Sequence, residues 1–175
     1  MIKKIYLHWT AGRYDQLFDD YHICIDGDGV IHRMGDLEEK KAHTWMRNTG
    51  AVGIALCCCY GARIQGVGRK AEGVGREECF RIDWGFYPPT EPQILAMARC
   101  VAEICREYDL PIDKETVMTH AEVADIDGYG IYDNDPDLRW DLLRLYPEGN
   151  VPGGDVIRSL AKILWRKEVK EYGTE

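Results

Sequence analysis

The sequence predicts an α/β fold, a single domain with a central mixed β-sheet flanked by helices. Short apolar strands are interleaved with helical stretches along the chain, the order that builds a sheet with helices packed on it. The length of 175 residues is that of one domain, expected to span 1–175 with a core over 3–146 and a C-terminal helix over 155–171. No repeat, low-complexity tract or linker divides it, and a chain of this size buries a core without staples.

The elements follow in order. Ile5-Tyr6-Leu7-His8 reads as a strand, with Ile5 and Leu7 on one face and Tyr6 and His8 on the other. Residues 13–20 are read as one or two helical turns. Tyr21 to Asp26 and Val30 to Met34 read as strands around Gly27-Asp28-Gly29, a hairpin signal. Val52 to Cys59 is apolar enough for a central strand. Residues 61–89 hold six glycines and Pro88-Pro89, and read as a functional loop or an insertion with one short strand near Cys79 to Ile82. Thr90 caps the clearest helix, with Gln93 completing a capping box and Ile94, Met97, Ala98, Val101, Cys105 and Tyr108 forming its stripe. Val117 to Thr119 is a short strand ending at His120. Pro136 to Leu145 is read as a short helix. Asp155 caps a last amphipathic helix bearing Ile157, Leu160, Ile163 and Leu164.

Composition removes several function classes. The net charge of −8 argues against binding a nucleic-acid backbone, whose affinity comes from cationic side chains. It gives no pull toward anionic membranes, and no run is long enough to span one. The lysines near the N-terminus lack the sustained apolar stretch and cleavage site of a signal peptide. The expectation is synthesis in the cytoplasm, any export using another route. Seven cysteines, at 24, 57, 58, 59, 79, 100 and 105, are an odd number and include three in a row. They are expected as free thiols acting as small core hydrophobes, not as a disulfide framework or zinc knuckle.

Of the five histidines, 8, 22, 32, 43 and 120, two share a context. His8 and His120 each close a short β run, and adjacent strand ends project their side chains into one cleft, where sites in α/β sheets lie. Two neutral imidazoles with a carboxylate and an open fourth position make a catalytic zinc site, although a pair so far apart in sequence also fits ordinary half-buried histidines. Carboxylates crowd the chain after His120: Glu122, Asp125, Asp127, Asp133, Asp135, Asp137 and Asp141. The run from Asp133 begins like a calcium loop but has Leu138 at the sharp-turn glycine position and Arg144 at the bidentate glutamate position, which removes calcium. His22 reads as core and His32 as solvent-facing.

Six motifs in order carry a resemblance: Leu7-His8-Trp9-Thr10-Ala11-Gly12, Tyr21-His22-Ile23-Cys24-Ile25-Asp26 before Gly-Asp-Gly, Ala42-His43-Thr44, Val52 to Leu56, Thr119-His120-Ala121-Glu122-Val123-Ala124, and Asp135-Pro136-Asp137-Leu138-Arg139-Trp140-Asp141. Over residues 3 to 146 the chain resembles the zinc-dependent N-acetylmuramoyl-L-alanine amidases, the amidase-2 family that includes phage T7 lysozyme and the peptidoglycan recognition proteins. The spacing from the first histidine to Tyr-His is similar to amidases of Gram-positive phages and prophages.

The resemblance implies Zn2+ as cofactor, peptidoglycan or muropeptide as substrate, and hydrolysis of the amide bond between N-acetylmuramic acid and L-alanine. It implies His8, His120 and Asp135 as zinc ligands, with Asp133 or Asp137 open as replacements for Asp135. Tyr21 matches the tyrosine whose hydroxyl faces the metal, and His43 the histidine lining the cleft, so both are expected as catalytic groups. Trp9, Thr10, Trp45 and Glu122 are the expected substrate-contacting residues. For the tryptophans the alternative is core packing, and for Glu122 a partner behind the ligands or a helix-start charge. Trp140 is expected to pack under the site, with Asp141 capping or pairing locally. Ala55 stands where some members carry a catalytic glutamate, and Asp133 where a lysine or threonine is common. Those departures leave one alternative, a non-catalytic muropeptide-binding module of the same fold; the acidic charge and the expected lack of a wall-binding domain leave another, an amidase acting on soluble fragments. The chain is expected to be a monomer without a separate wall-binding domain, reaching the wall by a holin-type or other non-Sec route.

Overall fold

The computed structural model describes residues 1–71, 75–131, 139–146 and 150–172. Five strands form one mixed sheet: β1 (Lys4–Trp9), β2 (Ile23–Ile25), β3 (Ile31–Arg33), β4 (Ala51–Leu56) and β7 (Val117–Thr119), in the spatial order β3-β2-β4-β1-β7. β1 runs parallel to β4 and β7, and β2 runs parallel to β4; only β2 and β3 are antiparallel, joined by the expected hairpin. The Asp26 carboxylate accepts from the Asp28 and Val30 amides, and Gly29 takes φ +84 there.

Alternation along β1 sorts the two faces as expected. Ile5 and Leu7 join Val52, Ile54, Leu56, Ile23 and Ile25 in the main core, against the apolar stripe of α1 (Glu91–Glu107). Tyr6 turns to the opposite face with Met118 and Val123. The Thr90–Gln93 capping box starts α1, and the Gln93 amide reaches on to donate to the Ile25 and Cys57 carbonyls at 3.0 and 2.9 Å. That contact ties the helix start to the strand ends. Two further helices are α2 (His120–Asp127) and α3 (Gly153–Tyr172), and α3 packs on α1 and β7.

The structure corrects several local expectations. Residues 13–20 form turns, not helix. The segment 61–89 contains a two-stranded antiparallel ribbon, β5 (Arg63–Ala71) with β6 (Gly75–Asp83), because strand pairing supplies the order that its glycines hide in the sequence pattern. Residues 139–146 are turns; Leu142 takes φ +57, which no helix admits, and 132–138 lie outside the described residues. β4 stops at Leu56, since Cys59 takes φ +69 and turns the chain into Gly61. In α3, Ile157 is buried whereas Ile163 is exposed, so the apolar face is narrower than its sequence stripe. Cys24, Cys57, Cys58, Cys59, Cys100 and Cys105 are free and buried, as expected. Among the described residues no helix is long and apolar enough to cross a membrane.

Candidate metal centre and cleft

The sheet itself brings the two key histidines together. β1 and β7 pair in parallel with Leu7 opposite Thr119, so the next residues, His8 and His120, leave adjacent strand ends side by side. Their Nδ1 atoms lie 3.2 Å apart. Asp141 completes a triangle, its Oδ2 being 3.4 Å from His8 Nδ1 and 3.3 Å from His120 Nδ1. Asp141 is seated by its own backbone, since the Ala121 amide at the start of α2 donates to its carbonyl at 3.2 Å.

These three distances test whether a metal fits. Ligand atoms held tetrahedrally at about 2.0–2.1 Å from zinc lie roughly 3.3 Å apart. Three edges of 3.2, 3.3 and 3.4 Å therefore match one face of such a tetrahedron. The donor set, two imidazoles and one carboxylate, is the one zinc takes in hydrolytic sites. Among the described residues it is the one cluster of histidine, cysteine and acidic side chains with metal-binding spacing.

Thr44 links the His8 ring to His43. His8 Nε2 lies 3.3 Å from Thr44 Oγ1, which lies 2.9 Å from His43 Nδ1. The Thr44 hydroxyl can accept from one ring and donate to the other; with the His8 proton on Nε2, the Nδ1 lone pair points into the triangle. Burial pushes His8 down to about 4 and, with His8 and His22 adding repulsion, His43 down to about 3, so both are neutral at pH 7. Burial opposes the ionisation of Asp141, but His120 and His8 outweigh it and hold the carboxyl well below the usual carboxylate range. Burial, aided by the Asp141 charge, raises the Tyr21 phenol far above its ordinary value, so it remains a proton donor.

The triangle opens into a cleft of about 560 Å³ bordered by Thr10, Tyr21, His43, Trp45, Met46 and Arg139. The Tyr21 ring lies 5.2 Å from the His8 ring, and the His43 ring 5.4 Å from it. Trp45 is 64% exposed at the rim. It does not share a strand with His43, because residues 42–47 are turns; Met46 takes φ +54 there. Trp9 also borders the cleft, but its ring is buried between Trp84 and Trp140 at centroid distances of 5.7 and 4.7 Å. Trp140 thus packs under the site as expected. His22 is buried structure: it accepts from the Gly53 amide and bonds the Glu39 carbonyl, both through ring nitrogens. His32 pairs with Asp26 at 2.8 Å.

Two expectations move. Glu122 stands outside the cleft: it closes the Thr119 capping box of α2 and pairs with Arg158 at 2.7 Å, so it is the helix-start charge. Asp141, expected to cap or pair locally, instead meets both histidines. Asp135, Asp133 and Asp137 lie outside the described residues. Sequence reasoning also gave no role to Thr44; its signal was a hydroxyl directly after His43.

An α/β scaffold with two histidines and an aspartate at its strand ends, spaced so that they could hold a metal ion and open to a cleft, is the arrangement of a candidate hydrolytic site. Comparison with known proteins narrows this. The family model for N-acetylmuramoyl-L-alanine amidase, amidase-2, matches residues 1–137. The chain belongs to that family, and its activity is hydrolysis of the N-acetylmuramoyl-L-alanine amide bond of peptidoglycan. The fold is shared with a solved structure, and two others are similar to the chain. The endolysin N-acetylmuramoyl-L-alanine amidase LysCS of Clostridium intestinale is 16% identical, with 91% of this chain and 83% of that one covered at a TM-score of 0.50. The amidase LysC of the same organism is 15% identical, covering 91% and 85% at 0.49. The Ph2119 endolysin from a Thermus scotoductus bacteriophage is 17% identical, covering 69% and 72% at 0.46. No curated protein matches the chain.

Proposed function

We propose that the chain is a zinc amidase in which His8 Nδ1, His120 Nδ1 and the Asp141 carboxylate hold the ion. The triangle of near-equal edges carries this reading. A zinc ion held there supplies an electrophile for the scissile carbonyl and makes water nucleophilic near neutral pH.

The residues of the chain do the rest. Thr44 and His43 fix the His8 ring so that its lone pair faces inward. Tyr21, protonated and beside His8, donates to the oxygen of the scissile carbonyl as it gains charge. Ala55 pairs with His8 across β1 and β4, so no carboxylate projects from that position and general-base duty falls to other groups. Trp45, on the open rim, offers a face for a sugar ring. Thr10 borders the same cleft with its hydroxyl accepting from the Gly12 amide.

The test is muropeptide release from purified cell wall, with Asp141→Ala, His120→Ala and Asp135→Ala compared. Loss of product in the first two, with Asp135→Ala retaining it, supports the set; loss in Asp135→Ala and retention in Asp141→Ala returns the third ligand to Asp135. A second reading follows from the net charge of −8: soluble muropeptides are the preferred substrate, since an acidic protein gains no long-range attraction to an anionic wall. Higher turnover on soluble fragments than on intact wall distinguishes it. In the first reading the chain acts as a monomer and reaches the wall by release from the cell.

A further inference from the structure

Among the described residues outside the cleft, a pair of exposed aromatic rings sits at the root of the β5–β6 ribbon. Phe86 is 79% exposed and Tyr60 52%, with ring centroids 6.4 Å apart. Tyr60 also meets Tyr87 at 6.5 Å, and Tyr87 packs edge-on against Tyr14 at 5.0 Å.

The platform is rigid. The Phe86 amide donates to the Tyr60 carbonyl at 3.1 Å, the Cys59 amide to the Tyr87 carbonyl at 2.6 Å, and the Tyr14 hydroxyl to the Pro88 carbonyl at 2.7 Å. Gly85 takes φ +67, and a Cβ there would stand 2.3 Å from the Tyr60 carbonyl oxygen. Phe86 is thus held outward by cross-bonded backbone, not by a slack loop.

The platform is also continuous with the cleft. Thr10 and Ala11 border the cleft. Thr10 Oγ1 accepts from the Gly12 amide, the Gly12 carbonyl accepts from the Tyr60 amide, and the Tyr60 carbonyl accepts from Phe86. Three hydrogen bonds therefore lead from the cleft rim to the exposed rings. Thr10 follows the end of β1 and Tyr60 the end of the parallel strand β4, so both stand at the same end of the sheet.

We infer that Tyr60 and Phe86 form an outlying sugar-binding surface that holds the glycan strand of polymeric peptidoglycan while a stem on the same strand occupies the cleft. This rests on the reading of the cleft as the hydrolytic site. A pyranose ring offers a face of C–H groups, which an aromatic face attracts, and the surface needs no charge to do so. Such short-range contact suits a protein whose charge of −8 gives it no attraction to anionic polymers. A second contact on one strand raises the local concentration of scissile bonds at the cleft.

The test compares wild type with the double variant Tyr60→Ala, Phe86→Ala on two substrates, long glycan strands bearing stems and a single disaccharide-peptide. The expected result is a KM five- to tenfold higher on the polymer, with kcat and the fragment kinetics within twofold of wild type. Phe86→Trp, which keeps a ring, should retain the wild-type polymer KM. Equal loss on both substrates, or no change on the polymer, overturns the inference. Co-sedimentation with glycan strands stripped of stem peptides reads the surface without hydrolysis. Wild type should bind and the double variant should not; equal binding, or none by wild type, counts against the surface even if hydrolysis proceeds. Failure of wild type to cleave either substrate, with strand binding intact, would instead reject the hydrolytic reading of the cleft.

Discussion

Thr44 bridges the metal-facing and cleft-lining histidines, its hydroxyl 3.3 Å from His8 Nε2 and 2.9 Å from His43 Nδ1. Replacing it by valine keeps the shape and removes both hydrogen bonds. The expected outcome for Thr44→Val is a 10- to 100-fold weaker hold on the metal with the fold retained, read by competition with a chelator. Unchanged affinity would show that His8 is oriented by other contacts. The neighbouring Gly53 matters for a steric reason. A Cβ there would stand 2.5 Å from His43 Cγ, so Gly53→Ala must displace the His43 ring. Muropeptide release should fall while the protein still unfolds in one transition; full activity would remove His43 from the account. At this scale the sequence was informative where a residue is tied to a strand end. His8 and His120 each stand next to a regular β register, so their meeting could be anticipated. Asp141 could not, because the sequence before it is crowded with aspartates and has no periodicity to fix which of them faces inward.

At the scale of elements, the segment 42–48 carries His43, Thr44 and the rim, yet it has no regular structure of its own. Its anchor is Arg47, whose guanidinium grips both oxygens of Asp127 at the end of α2, at 2.6 and 2.5 Å. The Arg47 hydrogen bonds hold the Asp127 carboxyl below its ordinary value despite partial burial. A carboxylate with a depressed folded-state pKa adds stability above its unfolded value of about 4, and that stability is lost as pH falls through the folded value. Asp127→Asn should therefore cost about 1 kcal/mol at neutral pH and little at strongly acid pH, checked by denaturant melts across that range. A cost independent of pH would assign the effect to packing. The elements themselves were legible wherever a cap or an alternating pattern marks them, as at Thr90 and along β1. The β5–β6 ribbon was not, since glycines at 66, 68, 73 and 75 interrupt the alternation and the order comes from the pairing of one strand with the other.

On the scale of the whole molecule, the parallel order β4-β1-β7 converts residues 112 positions apart into neighbours, and the cleft is the consequence of that topology. The net charge acts on the same scale. A −8 protein is repelled by anionic wall polymers over a distance that salt shortens, from about 30 Å at 0.01 M to about 8 Å at 0.15 M. Digestion of intact wall should thus speed up over that range of salt, whereas cleavage of a neutral fragment should not; a slowing on intact wall would mean that a local basic surface dominates. The central claim, that distant strands assemble a metal centre, is tested most directly by elemental analysis of the purified protein. The account predicts about one zinc per chain in wild type and almost none in His8→Ala, His120→Ala or Asp141→Ala, each still folded by circular dichroism. Zinc retained at the wild-type level after removal of His8 and His120 would contradict it.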